Sequence, residues 1–101
     1  MEKLTKAQEK ELKTIIGYIE YGKQFNSAED LYNSLNYTGK WEDLKEDWQQ
    51  AYIEDYERRL NNIALRGANS NTIRALEKKG YIEIIKDGKN NCDIVKVLHF
   101  I

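Results

Sequence analysis

One stretch of the sequence decides the fold prediction: residues 69–91, which read NSNTIRALEKKGYIEIIKDGKNN. Asn69 or Ser70 suits the N-cap of a helix, because a short polar side chain can accept a hydrogen bond from the first turn. Ile73 and Leu76 then fall on one inward face at helical spacing. The outward stripe of this helix comprises Asn71, Arg74, Ala75 and Lys78.

The second half of this stretch predicts a β-hairpin. Gly80 stands where a residue in the left-handed conformation would end the helix. Residues 81–85 and 93–98 are rich in β-branched and apolar side chains, as strands are. The pair Asp87-Gly88 predicts a turn between them. The hairpin tip, residues 86–91, is polar and partly basic.

The N-terminal segment predicts an amphipathic helix. Thr5 and Gln8 have the spacing of a capping box, in which each side chain accepts from a backbone N–H group of the other residue. Gly22 is the predicted stop. The apolar stripe of this helix consists of Leu12, Ile15, Ile16 and Ile19.

Between these two segments the sequence predicts a short helix capped by Ser27, a break at residues 36–39, and a longer helix from near Trp41 to Leu60. A brief strand is expected at residues 63–65. One face of the longer helix carries Trp41, Leu44, Trp48, Ala51, Tyr52 and Tyr56, and the other carries Glu42, Asp43, Glu46, Asp47, Glu54 and Glu57. The fold class is therefore α+β and mostly helical.

Composition sets the broad class of the protein. A chain of 101 residues with 41% hydrophobic and 33% charged residues predicts one domain, residues 1–101, with a modest core. The single cysteine excludes an internal disulfide bond. The N-terminus lacks the apolar segment of a signal peptide, and no run has membrane-spanning length. We therefore expect a soluble protein of the cytoplasm.

Charge is distributed unevenly along the chain. Up to Glu57 there are 7 lysines against 13 acidic residues, a net charge of −6. From Arg58 onwards there are 9 basic against 4 acidic residues, a net charge of +5. Such a division predicts two electrostatic surfaces if the two parts lie apart in the fold, although a chance distribution on a charged surface is the alternative.

These motifs resemble the winged helix-turn-helix domains of bacteriophages and mobile elements. The resemblance rests on the Thr5-Lys6-Ala7-Gln8 start, the block from Asn71 to Ile82, and the hairpin from Tyr81 to Leu98. It leaves a helical insertion, roughly residues 26–60, unaccounted for. It implies that helix 70–79 enters the DNA major groove and that the wing 86–91 lies beside the backbone. The DNA-binding residues implied are Ser70, Asn71, Thr72, Arg74, Lys78, Lys86, Lys89, Asn90 and Asn91.

Catalytic chemistry has little support in the sequence. His99 and Cys92 are too few for a metal site, and Gly39-Lys40-Trp41 lacks the rest of a phosphate-binding loop. Adjacent acids such as Glu42-Asp43 read as a solvated helix face rather than as a catalytic pair. We therefore expect no enzymatic activity, no cofactor and no metal.

Two functions stay open at this point. The first is a DNA-binding transcriptional regulator or accessory factor of phage origin, acting on double-stranded DNA in the bacterial host cytoplasm, in which Arg74 and Asn71 would read bases. Alternatively, Arg74 pairs with Glu77 or Asp55 on the surface. The second function is a phage-encoded inhibitor of a host protein, as anti-CRISPR proteins are, bound through the acidic aromatic helix 41–57. Its interface residues would be Trp41, Glu42, Asp43, Glu46, Asp47 and Trp48; the aromatic stripe could instead be core or the seam of a homodimer.

Overall fold

The computed structural model describes residues 3–35, 39–67, 71–86 and 92–101. In chain order its elements are α1 (Lys6–Lys23), α2 (Ala28–Ser34), a 3₁₀ turn (Trp41–Asp43), α3 (Glu46–Leu60), β1 (Ile63–Gly67), α4 (Asn71–Lys78), β2 (Ile82–Lys86) and β3 (Cys92–Val97). The α+β, mostly helical class is confirmed. The predicted cap at Asn69 or Ser70, the Asp87-Gly88 turn and most of the break at residues 36–39 lie outside the described residues.

Helix α1 begins as its sequence predicts. The backbone N–H of Gln8 donates to Thr5 Oγ1 over 3.2 Å, and the N–H of Thr5 donates to Gln8 Oε1 over 3.1 Å. This reciprocal arrangement satisfies two backbone donors that a helix start leaves without intrahelical partners. The predicted stripe is buried along its length: Leu12, Ile15, Ile16 and Ile19. Helix α1 is therefore the central support of the core.

The three strands form an antiparallel sheet in the order β1-β3-β2. Ala64 on β1 lies opposite Val95 on β3, and Val95 lies opposite Ile84 on β2. Since directly opposed residues point to the same face of an antiparallel sheet, these side chains share one face. This face packs on the core with α1 and α4: Ala64 and Val95 are buried, and Ile84 packs against them.

Helix α4 and the glycine after it follow the sequence prediction. Ile73 and Leu76 are buried in the same core as α1. Gly80 has φ +85°, a left-handed conformation that favours glycine because it has no Cβ. The N–H of Tyr81 donates to the carbonyl of Leu76 over 3.0 Å. The helix therefore ends abruptly and the chain turns directly into β2.

The prediction that Gly22 ends α1 is wrong. The helix continues to Lys23, and Gly22 is buried inside its last turn. A Cβ atom built on Gly22 would lie 2.8 Å from Cβ of Arg59 on α3. Glycine is therefore required at this position because α3 crosses α1 at close range.

The prediction of one helix from Trp41 to Leu60 is also wrong. Leu44 and Lys45 are extended, with ψ values of 142° and 148°, and they separate the 3₁₀ turn from α3. This break allows the Trp41 ring to pack edge-on against Tyr32, with ring centroids 5.8 Å apart, and to approach Tyr52 at 6.3 Å. Packing of the Trp41 ring against Tyr32 and Tyr52 is therefore favoured over a helix that runs without a break from Trp41.

The aromatic face predicted for this region is divided between packing and exposure. Tyr52 packs against Tyr32 on α2 with centroids 5.1 Å apart, and the Tyr56 hydroxyl donates to the carbonyl of Phe25 over 2.8 Å. Trp48, in contrast, is 59% exposed. No residue of α3 reaches full burial, so this helix is a half-covered layer on α1 and α2 rather than part of the central core.

Candidate nucleic-acid interface

The outward side of α4 carries the side chains predicted to contact DNA. Asn71, Arg74 and Lys78 are exposed, opposite the buried Ile73 and Leu76. Arginine and asparagine can each form two hydrogen bonds to a base edge, and lysine can neutralise a phosphate. Thr72 is half-buried beside this stripe. The helix thus presents polar and cationic chemistry over about two turns.

The wing residues are only partly described. Lys86, the last residue of β2, is exposed. Ser70, Lys89, Asn90 and Asn91 lie outside the described residues, so their placement beside α4 stays a prediction.

Three hydrogen bonds hold the C-terminal end of α4 and the residue after it in place. Glu77 Oε2 accepts from the backbone N–H of Ile84 on β2 over 2.8 Å. On the other side, Lys79 Nζ donates to the carbonyl of Lys3 over 2.8 Å and to Gln8 Oε1 over 2.6 Å. These contacts tie α4 to the hairpin and to the start of α1, so the exposed stripe has a defined direction relative to both.

Arg58, Arg59 and Arg66 each form an ion pair with a carboxylate of the fold. Arg66 on β1 donates to Glu11 Oε1 on α1 over 3.1 and 2.5 Å, and its guanidinium lies 5.4 Å from the centre of the Tyr18 ring. Arg58 and Arg59 both donate to Asp55, over 3.3 and 2.9 Å. Asp55, which the sequence offered as a partner for Arg74, therefore accepts from these two neighbours on its own helix.

The acidic residues of the predicted protein interface are all exposed. Glu42 and Asp43 belong to the 3₁₀ turn, whereas Glu46 and Asp47 form the first turn of α3. Carboxylates at a helix N-terminus are stabilising because they face the positive end of the helix dipole. Trp41 is half-buried and Trp48 exposed. Because α3 begins at Glu46, Glu46 and Asp47 stabilise its first turn. They would not have this role in a helix that began at Trp41.

Sequence reasoning missed a surface on the other side of the sheet. Leu65, 45% exposed, joins residues of α3 around a shallow cavity of about 380 Å³. The cavity is lined by Trp48, Ala51, Tyr52, Glu54, Asp55, Arg58 and Leu65. A signal was present in the alternation of Ile63 with Leu65, which places both on one face of a strand.

The described residues contain no group of three or more His, Cys, Asp or Glu side chains arranged to hold a metal ion. Within the same part of the chain, every helix is too short or too polar to cross a membrane. Comparison with protein-family models, with curated proteins and with solved structures gives no match for this chain.

Proposed function

We propose that the protein binds double-stranded DNA through α4 and the β2–β3 hairpin, as a small winged-helix-type regulator or accessory factor of phage origin. The observation that carries the proposal is the exposed stripe of Asn71, Arg74 and Lys78 on a helix whose opposite side is held in the core. A DNA-reading helix needs both properties, because base contacts require a rigid support.

The order of elements supports a hairpin beside α4. Helix α4 runs into β2 through Gly80, and β2 pairs with β3, so the loop that joins these strands starts next to Lys86. Helix α3 reaches α4 through strand β1 rather than through the 3–4-residue turn of a helix-turn-helix. In our proposal, major-groove contact is therefore made by α4 alone, with the hairpin loop as the backbone contact.

The test is fluorescence anisotropy with a labelled random-sequence duplex over a range of salt concentrations. We expect dissociation constants of about 1–100 µM near physiological salt. The affinity should rise steeply as the salt concentration falls. Arg74→Ala combined with Lys78→Ala should abolish measurable binding. The matched control replaces Lys40 and Lys45, two exposed lysines of the α2–α3 connection, and should retain it. A wild-type protein that binds no duplex at low salt would refute the proposal.

A second candidate function is inhibition of a host protein through the acidic surface. The observation that favours it is the exposure of all four carboxylates and of the Trp48 side chain within residues 42–48, since tryptophan is enriched among the residues that dominate interface energies. Its test replaces the carboxylates with lysine and measures both capture of a host protein and DNA binding. Under this function, capture is lost, whereas the DNA-binding function predicts stronger duplex binding because a repulsive field is removed. The substituted residues are Glu42, Asp43, Glu46 and Asp47.

A further inference from the structure

The sheet has a second face that points away from the core. Ile94 lies opposite both Leu65 on β1 and Lys86 on β2, and Lys96 lies opposite both Ile63 on β1 and Glu83 on β2. Strand geometry places these six side chains on the same face, because opposed residues share a face and alternate residues return to it. We call the six residues the outer sheet face. Ile63 and Ile94 are half-covered, and the other four are exposed.

The outer sheet face continues onto α3. The α3 side of the cavity beside Leu65 is lined by Trp48, Ala51, Tyr52, Glu54, Asp55 and Arg58. We call these six residues the α3 flank. Among the described residues, Trp48 is the most exposed large apolar side chain, at 59%, and Leu65 is 45% exposed. Exposed apolar side chains that border one cavity make this region a candidate interaction surface.

The charges on this surface indicate what covers it. Glu83 and Lys96 are directly opposed on neighbouring strands, and Arg58 is paired with Asp55 at 3.3 Å. Glu54 on the α3 flank and Lys86 on the outer sheet face add one further charge of each sign, so the formal charges of the combined surface cancel. A nearly neutral surface attracts neither DNA nor a strongly charged partner, whereas a surface that carries both signs around an apolar centre can be complementary to a copy of itself.

We propose that the outer sheet face and the α3 flank form the two-fold interface of a homodimer. In such an interface the same patch is contributed by both copies, so the Trp48 and Leu65 side chains of each chain become covered. Helices α1 and α4 pack on the opposite face of the sheet, so the stripe at Arg74 remains exposed in the dimer. The dimer requires only the surface described here, and Lys86 at the end of β2 is the one residue that this surface shares with the proposed DNA contacts.

The first experiment measures the mass of the full chain by light scattering and sedimentation over a concentration series. Wild type should reach twice the 11.9 kDa chain mass. Leu65→Asp should raise the dimer dissociation constant about 30-fold or more, the effect expected at an interface hot spot. The matched control is Ile101→Asp, since Ile101 is 50% exposed but lies beside Leu4 and Tyr81, outside the proposed interface. Circular dichroism checks that both variants remain folded.

A second experiment uses charge to identify the occupant as another copy. Lys96→Glu leaves two negative charges on the opposed pair, and Glu83→Lys leaves two positive charges. Each variant alone should therefore dimerise more weakly than wild type. An equal mixture of the two should recover association, because a negatively charged face then meets a positively charged one. The proposal is overturned if wild type stays monomeric up to about 1 mM, if Leu65→Asp dimerises like wild type, or if mixing restores nothing.

Discussion

The crossing of α1 and α3 allows two glycine-to-alanine changes in one helix to be predicted with opposite signs. Gly17 and Gly22 both lie in α1, and alanine is favoured over glycine inside a helix by roughly 0.5–1 kcal/mol. A Cβ atom on Gly17 would meet nothing within 4 Å, so Gly17→Ala should raise the free energy of unfolding by about that amount. This variant is the control for the second change.

At Gly22 the same methyl group meets the Arg59 side chain, with Cβ and Cγ at 2.8 and 2.9 Å. Arg59 has little room to move, because its guanidinium donates to Asp55 over 2.9 Å and to the carbonyl of Tyr18. Overpacking costs about 1–3 kcal/mol, and loss of a charged hydrogen bond adds about 1.5–3 kcal/mol if Arg59 is displaced. After the helical gain of about 0.5–1 kcal/mol is subtracted, we expect Gly22→Ala to lower the free energy of unfolding by up to about 2.5 kcal/mol if Arg59 stays in place, and by about 1.5–5.5 kcal/mol if its hydrogen bond is lost.

The assay is urea unfolding followed by far-UV circular dichroism, which resolves differences of this size in a chain of about 100 residues. A double-mutant cycle isolates the cause. In an Arg59→Gly background no side-chain atom of residue 59 remains to meet the new methyl group, whereas Arg59→Ala would still leave a Cβ atom at 2.8 Å. Gly22→Ala should therefore become neutral or stabilising in the Arg59→Gly background, as Gly17→Ala is. If Gly22→Ala stabilises the otherwise unchanged protein as much as Gly17→Ala does, the close approach of α3 to α1 is refuted.

Three further changes can be measured by the same unfolding assay. Leu76→Ala should lower stability by about 2–5 kcal/mol, because this fully buried side chain fixes α4 to the core; a change below 1 kcal/mol would contradict that packing. Gly80→Val should destabilise more than Gly80→Asn, because asparagine tolerates the left-handed conformation at φ +85° and a β-branched residue does not; equal stabilities would argue against this turn. Thr5→Ala should cost about 1 kcal/mol through loss of the N-cap of α1, whereas Thr5→Ser should keep most of that stability.

The parts of the fold that sequence reasoning predicted correctly depend on local interactions. The capping box of α1 joins residues three apart, and the Gly80 stop depends on one backbone conformation. The parts that it predicted wrongly depend on contacts between distant segments. Gly22 is determined by Arg59 on another helix, and the break before α3 is associated with packing of Trp41 against Tyr32. No local pattern contains that information.

The candidate surfaces divide in the same way. The α4 stripe follows from the 3.6-residue period alone, so its outward direction could be predicted before the fold was known. The outer sheet face could not, because Leu65 and Ile94 become neighbours only through the pairing of β1 with β3. Leu65 and Ile94 are 29 positions apart along the chain. Since no hairpin joins β1 to β3, the register of this pair is set by packing rather than by turn chemistry.

The structure also changes what the positive charge of the C-terminal segment means for DNA binding. Arg58, Arg59 and Arg66 make contacts with the carboxylates of Asp55 and Glu11, and these contacts join or brace the elements that precede α4. The net charge of +5 therefore overstates the charge that a phosphate backbone would meet.

The exposed cations of the proposed interface are Arg74, Lys78 and Lys86, with Lys89 expected beside them from the sequence. Each phosphate contact contributes about −0.9 to the slope of log affinity against log salt, so three or four contacts predict a slope of about −3 to −4 per chain. If all nine basic residues from Arg58 onwards contacted phosphates, the slope would be about −8. The measurement is the salt series on a random duplex, with Arg66→Met as the internal control. This variant should destabilise the fold, since Arg66 braces β1 on α1, and should leave the slope unchanged. Two results would contradict this reasoning: a slope near −8, or a slope that becomes less negative by about 0.9 in Arg66→Met. Either would mean that DNA contacts the arginines that brace the fold rather than α4.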